Sequence, residues 1–314
     1  MNKNNNQTEH IEHQIFSTVH QKGLLNKQQI FSHQRIHDGL LNFTYRIFLK
    51  EGPSVILKYY PPFIATLPDI PLSSSRAFFE RQALKKLPNV LECSHTPMFI
   101  DGTKDINIME DKGKLPSLQL QHTPQLIQDI AIWLGKLHES APHFTAKEKQ
   151  SWKNKNIQES RHENQYKHLA SIITNPVAQK HLYELGEFLQ ESGFCPIMGD
   201  LWPSSILIQD DTFFVIDWEF SHYGRPLQDV AHLCAHLVLM KQPQYCSLFL
   251  QTYIENVSTK IQNDVLSYRA THHYCAEILM RSIGLFQNPE HKDLKTQAVD
   301  LLTKHPHFLS VFST

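Results

Sequence analysis

The chain reads as an α+β protein of two unequal lobes, a small β-rich lobe over residues 1–112 and a larger, mainly helical lobe over 113–314. Three observations predict this. Strand-like runs separated by turn residues dominate the first part of the chain. Helical apolar periodicity takes over beyond Lys112-Gly113-Lys114-Leu115-Pro116, which resembles a linker. The only strand-like stretch expected in the second lobe is short and carries three carboxylates. A length of 314 residues is enough for about two ordinary domains.

The elements follow in order. Ile11, Ile15, Phe16 and Val19 have helical spacing, which Gly23 interrupts, and the texture changes from Ile30 onward. Residues 43–49 and 54–60 read as a hairpin around Glu51-Gly52-Pro53, ended by Pro61 and Pro62. A Pro- and Ser-rich loop leads to a helix at 76–87, with Phe78, Phe79, Ala83 and Leu84 available for a core. A second hairpin is expected from 97–102 and 106–111. Helices are expected at 124–139, 152–191, 227–240, 245–253 and 265–287.

Bulk properties narrow the function. The formal net charge is −1 without a long basic run, which argues against a nucleic-acid partner. The 20 histidines are scattered and read mostly as ordinary surface or core residues. Five cysteines without a CxxC suggest free thiols in a reducing compartment. No secretory h-region or long apolar run is present, so no membrane association and a cytoplasmic location are expected.

The chemistry concentrates in Met198-Gly199-Asp200-Leu201-Trp202-Pro203-Ser204-Ser205 and Val215-Ile216-Asp217-Trp218-Glu219-Phe220. A carboxylate near a dry core costs free energy unless a cation accompanies it. Mg²⁺, which takes one or two carboxylates plus substrate phosphates, is the simplest cation here. Asp200 is a turn residue or a general base that accepts a proton from an alcohol. Asp217 follows at the far end of a short hairpin. Glu219, two residues on, would face the same side of an extended segment and share the ion. Lys58 either snorkels at a strand edge or reaches a nucleotide phosphate, held by Glu80. Asp38-Gly39-Leu40-Leu41-Asn42-Phe43 would be a turn covering phosphates with backbone N–H groups. No GxxxxGK[ST] occurs, so a P-loop is not supported.

These residues resemble the aminoglycoside phosphotransferase and choline kinase superfamily, which has a protein-kinase-like bilobal fold. The resemblance spans roughly residues 30–290. Its catalytic loop, His-Gly-Asp with an Asn five positions after the Asp, corresponds to the stretch from Met198 to Ser205. Its metal motif corresponds to Ile216-Asp217-Trp218-Glu219, with Gly224 and Asp229 following. Within the superfamily the chain looks most similar to 5-methylthioribose kinase. The similar segments are the Gly39 loop, Lys58-Tyr59-Tyr60-Pro61-Pro62-Phe63-Ile64, Arg76-Ala77-Phe78-Phe79-Glu80, Glu219-Phe220-Ser221-His222-Tyr223-Gly224 and Met280-Arg281-Ser282-Ile283-Gly284-Leu285.

The resemblance implies ATP and Mg²⁺ as cofactors and a small-molecule hydroxyl acceptor, a sugar derivative foremost. Asp200 would be the base, and Asp217 and Glu219 the metal ligands with Ser205. Gly39, Asn42 and Phe43 would lie at the phosphates with Lys58 and Glu80. Met109, Glu110 and Asp111 would read adenine through their backbone, and Gly224 and Asp229 would support the catalytic loop. Trp202 and Arg281 would line the acceptor site. Met198 replaces the usual His, Ser205 stands in the Asn position as in methylthioribose kinases, and Met280 replaces one of two sugar-gripping arginines. The alternatives are an aminoglycoside or aminosugar kinase and a catalytically weak pseudokinase. Related sugar kinases can be dimers, so a homodimer is allowed.

Overall fold

The computed structural model describes the backbone of residues 2–37, 39–91, 95–191 and 193–312, with side chains from residue 10 onward. Asp38, in the expected phosphate loop, and Cys93 lie outside the described residues. Contacts divide the chain into two compact units, residues 1–85 with 97–113, and residues 86–96 with 114–314. The second unit thus reclaims 86–96 from the contiguous first lobe expected.

The first unit opens with α1 (Asn2–Gln21), followed by β1 (Ile30–Ile36), β2 (Phe43–Leu49) and β3 (Val55–Tyr59). A short hairpin, β4 (Phe63–Ile64) and β5 (Leu67–Pro71), precedes α2 (Arg76–Lys86). Then come β6 (Phe99–Gly102) and β7 (Ile106–Glu110). The main sheet is antiparallel in the order β1-β2-β3-β7-β6. The helical spacing in α1 has a partner: Ile15 and Val19 are buried with Tyr45, Ile47, Leu57 and Ile108. β1 was not expected as a strand. Most of its side chains are exposed, so it lacks an alternating apolar signature.

The second unit takes in residues 86–96, of which His95 meets the unit's own hairpin. Val215 N–H donates to His95 O at 2.6 Å, and the His95 ring stacks on Phe213 at 4.2 Å. Its helices are α3 (Pro124–Glu139), α4 (Ala146–Ser151), α5 (Lys155–Arg161), α6 (His168–Ile172) and α7 (Pro176–Gln190). The strands β8 (Cys195–Ile197), β9 (Ile206–Gln209), β10 (Thr212–Val215) and β11 (His222–Gly224) follow. The chain ends in α8 (Leu227–Leu239), α9 (Gln244–Glu255), α10 (Thr259–Val265), α11 (Tyr268–Ser282) and α12 (Leu294–Lys304).

The single helix expected over 152–191 is in fact several. Asn154 caps α5, and residues His162–Lys167 form a π-helical turn. Asn175 then caps α7 with Pro176 at its first position, so the helix restarts there. β9 and β10 form the expected hairpin, but β8 and β11, which flank it in the chain, pair as a second antiparallel two-stranded sheet, so the acidic stretch is not the unit's only strand region. α8 is buried on nearly every side and serves as the unit's central helix.

Val19 has no exposed surface and fills the contact between α1 and the sheet. Val19→Asp should destabilise the first unit by at least about 3 kcal/mol. Amide hydrogen exchange in β2 and β3 should accelerate accordingly; unchanged protection would remove α1 from the core.

Candidate active site

In the first unit, Lys58 Nζ donates to Glu80 Oε2 at 3.0 Å, so strand β3 and helix α2 are joined by a buried ion pair. Tyr60 O–H donates to the same carboxylate oxygen, and Asn107 Nδ2 donates to Tyr60 Oη at 3.0 Å and Ala77 O at 2.9 Å. Truncating one member of such a pair leaves the other charge buried, which costs far more than the pair contributes. Tyr60 and Asn107 carried no motif and were missed in the sequence.

The other residues of this group divide. Gly39 has open space where a Cβ would stand. Asn42 Oδ1 accepts from Arg76 at 2.6 Å, which ties the loop to α2. Phe43 packs its ring in the core beneath Tyr59 and Arg35, which leaves its backbone for any phosphate role. Met109 is paired on both sides within the sheet, and Glu110 N–H donates to Met98 O at 2.9 Å. The Glu110 donor is therefore already used. The Asp111 carboxylate accepts from Arg46 at 2.5 Å and Ser54 at 2.6 Å. Burial pushes its pKa up, but hydrogen bonds from Arg46, Ser54 and Gly113 prevail and lower it.

In the second unit the catalytic-loop stretch is built around Asp229, at the start of α8. Its carboxylate accepts Met198 N–H at 2.8 Å and Gly199 N–H at 2.7 Å. His138 Nε2 on α3 lies 3.2 Å from the same group. Burial would raise the Asp229 pKa, but these donors outweigh it and hold it below the usual carboxylate range. Gly199 has φ +83°, and a Cβ there would fall 2.3 Å from Phe220 O. Only glycine presents both N–H groups to one carboxylate in that space. A Cβ on Gly224 would meet Ile197 and His222 at 2.5 and 2.7 Å, so it too permits a close approach beside the loop.

Ser205 is buried and its carbonyl accepts Ile216 N–H at 2.9 Å, which ties the end of the loop to the Asp217 segment. Asp217 is not in an extended chain as expected. It sits at φ 71°, ψ 49°, the left-handed conformation, and Glu219 lies in the 3-10 turn Trp218–Phe220 that follows. Fully buried Trp218 anchors this turn, donating Nε1–H to Val215 O at 2.9 Å. A left-handed non-glycine residue carries local strain, and such strain collects at functional sites. Two groups of three side chains offer ligand atoms within 4.8 Å of one another among the described residues, and neither contains Asp200, Asp217 and Glu219. Asp217, Glu219 and Ser205 are all hard oxygen donors, which suits Mg²⁺ or Ca²⁺.

Asp200 has its own surroundings. Arg161 donates to Oδ1 at 2.6 Å and Trp202 Nε1–H to Oδ2 at 3.0 Å. His232 Nε2 lies 3.8 Å from Oδ1. Burial raises the Asp200 pKa; Arg161 and His232 pull it down, and Glu277 and Asp217 push it up, with a net rise. Glu277 is buried, accepts from Gln165 at 2.6 Å and lies 3.3 Å from His232 Nδ1. Its pKa is lowered despite burial, chiefly by His232. Arg281, expected beside Trp202, lies over the Trp202 ring at 4.0 Å, and the His236 ring stacks on the same indole.

Arg161, Gln165, His232 and Glu277 were missed by sequence reasoning. Arg161 ends α5, and Gln165 sits in the π-helical turn that follows it. Such turns are rare and frequent at functional sites, but they leave no residue signature.

The chain matches the family model described as "Phosphotransferase enzyme family" over residues 33–258. It is 24% identical to a 4-hydroxytryptamine kinase of Psilocybe cyanescens over 288 residues, covering 79% of each chain. It is 25% identical to the methylthioribose kinase of Bacillus velezensis over 293 residues, covering 79% of this chain and 73% of that protein. Among solved structures it is similar to an amicoumacin kinase in complex with AMP-PNP, Ca²⁺ and Ami, with a TM-score of 0.59 at 12% identity over 93% of this chain and 94% of that one.

Asp229→Asn removes a charge held by several donors and should cost about 2–4 kcal/mol at neutral pH. Because the folded pKa is lowered, Asp229 contributes stability above the ordinary carboxylate value of about 3.9, and this is lost as pH falls through the folded pKa. The gap between wild type and variant in urea melts should therefore narrow in strong acid; a constant gap would contradict the assignment.

Proposed function

We propose that this chain, which belongs to the phosphotransferase enzyme family, transfers the γ-phosphoryl of ATP, with Mg²⁺, to a hydroxyl of a small metabolite, a sugar derivative foremost. The observation that carries the reading is Asp200. It is a carboxylate of raised pKa on a backbone-braced loop, with Arg161 and Trp202 fixing its two oxygens. A carboxylate has about four lone-pair sites, so these two donors leave room for an acceptor hydroxyl.

The bound nucleotide supplies the phosphoryl group, and the metal ion neutralises its charge. Asp217, Glu219 and Ser205 would hold the ion, and Lys58, steadied by Glu80, would meet the phosphates. Asp200 orients the acceptor O–H and takes its proton as the oxygen bonds to phosphorus and the bridging bond to the leaving diphosphate breaks. A raised pKa brings the base nearer to operating pH, where proton transfer is most effective.

The groups beside Asp200 favour a neutral polyol over a polycation. Arg161 and Arg281 would repel an ammonium, and the Glu277 carboxylate is already engaged by Gln165 and His232. A hydroxylated aromatic ring is the second reading, favoured by the similarity to a 4-hydroxytryptamine kinase and by the Trp202–His236–His232 ring stack beside the proposed base, with any amine held away from the two arginines.

Asp200→Asn should keep nucleotide affinity and lose about 10²–10⁴ in kcat on the acceptor found in a panel of methylthioribose, other sugars, 4-hydroxytryptamine, choline and aminoglycosides. Full activity of the variant would refute the base. Asp217→Ala should weaken Mg²⁺-dependent nucleotide binding at least about tenfold; unchanged affinity by calorimetry would refute the metal ligand.

The pH profile gives a further check. Because burial raises the Asp200 pKa, the rate should fall with acid at a higher pH than an ordinary aspartate would give. Arg161→Gln removes a group that lowers this pKa and should move the acid limb to higher pH, whereas Glu277→Gln should move it to lower pH. Identical limbs in the wild type and both variants would mean that another group controls the profile.

A further inference from the structure

Three histidines of the second unit, none of them among the groups that contact Asp200, converge at the junction of α7, α11 and the segment after α12. His181, His272 and His305 each bring a ring nitrogen within 4.8 Å of the other two. Their ring centroids are 3.8, 4.9 and 5.0 Å apart. Such crowding of polar rings needs a physical reason.

The hydrogen bonding is asymmetric. His181 Nδ1 lies 2.8 Å from Leu302 O. A carbonyl only accepts, so Nδ1 carries the proton and Nε2 presents a lone pair. One ring nitrogen on a backbone carbonyl and the other on a metal is the usual arrangement of a metal-bound imidazole. His272 is 2% exposed, and its Nε2 has no hydrogen-bond partner among the described residues. A buried polar atom left unpaired calls for an explanation, and an absent ion is one. His305 is exposed and held at φ 48°, ψ 45°, a left-handed conformation that ends α12 and turns the chain. It gives the cluster an opening to solvent.

We propose that His181, His272 and His305 form a site for one zinc-class divalent ion. Three neutral imidazoles suit Zn²⁺, with nitrogens about 2.0–2.1 Å from the metal, so the three would close to about 3.3 Å from one another. The fourth position falls to water, or to Glu184, one turn beyond His181 on α7 and an electrostatic neighbour of His305. Burial and the neighbouring imidazoles lower the pKa of His272 to about 3, and burial with His181 lowers that of His305. Both rings therefore keep their lone pairs at neutral pH. The ion would fasten the segment after α12, where Pro306 O accepts from Thr271 and Phe308 N–H donates to Leu266 O, onto the helical core. This site is separate from the oxygen donors of Asp217 and Glu219 and stands whether or not the kinase reading holds.

The test uses the full chain stripped with a chelator and titrated with Zn²⁺ against a chromophoric competitor. Co²⁺ absorption reads the geometry, and thermal melts read stability. The wild type should bind one Zn²⁺ with tetrahedral Co²⁺ bands and melt a few degrees higher with metal. His305→Gln, at an exposed position that folding tolerates, should weaken binding by about a hundredfold and abolish the melting shift. His143→Gln, at an exposed histidine elsewhere in the unit, should change neither. Equal binding in the wild type and His305→Gln would overturn the site. So would loss in His232→Gln instead, which would move the ion to the His232–His273–Glu277 group, and so would no stoichiometric binding at all.

Discussion

The buried carboxylate of Asp229 is the constraint on which the site depends. It accepts two successive backbone N–H groups, from Met198 and Gly199, and faces His138 on α3. A charge so far from water is tolerable only with donors on it, and those donors fix the loop. This also accounts for Met198 in the place where the resembling superfamily has His. The brace reads the N–H of residue 198 rather than its side chain, and the Met198 side chain is buried apolar packing. Gly199 matters more, because its left-handed φ lets two adjacent N–H groups meet one carboxylate.

From that fixed loop Asp200 projects among opposing charges. Arg161 and His232 favour its ionised form, while burial, Glu277 and Asp217 oppose it. The balance leaves a carboxylate oriented on both oxygens by Arg161 and Trp202, as the proposed base role requires. The π-helical turn after Arg161 contributes by bringing Gln165 to Glu277 and Tyr166 to His273. The first unit holds its own charge by the same logic, with Glu80 receiving Lys58 and Tyr60 together.

Much of this was legible in the sequence where pattern and period carry the physics. The hairpin around Gly52, the helix at Glu80, the second hairpin and the helix after Pro124 all appear within a residue or two. Asp200, Asp217 and Glu219 stood out because acids at the ends of apolar strands are costly and so noticeable, whereas Asp229 came only through the family resemblance. The rest was hidden for specific reasons. β1 is mostly exposed and shows no alternation. The Asn175-Pro176 restart was overlooked inside a long apolar pattern. Asp217 was read as extended, whereas its left-handed φ and the 3-10 turn after it depend on Trp218 being buried beneath the hairpin. Arg161, His232 and Glu277 reach Asp200 from distant positions through tertiary packing that no local spacing encodes.

In the proposed reaction a braced aspartate activates a hydroxyl for phosphoryl transfer. The most direct measurement incubates the purified chain with γ-labelled ATP, Mg²⁺ and a small-metabolite extract, then identifies the labelled products by mass spectrometry. A phosphomonoester of one hydroxyl-bearing compound should form with intact Asp200 and be lost when that carboxylate is replaced. Label appearing only as inorganic phosphate, or the same product at the same rate without the carboxylate, would contradict it.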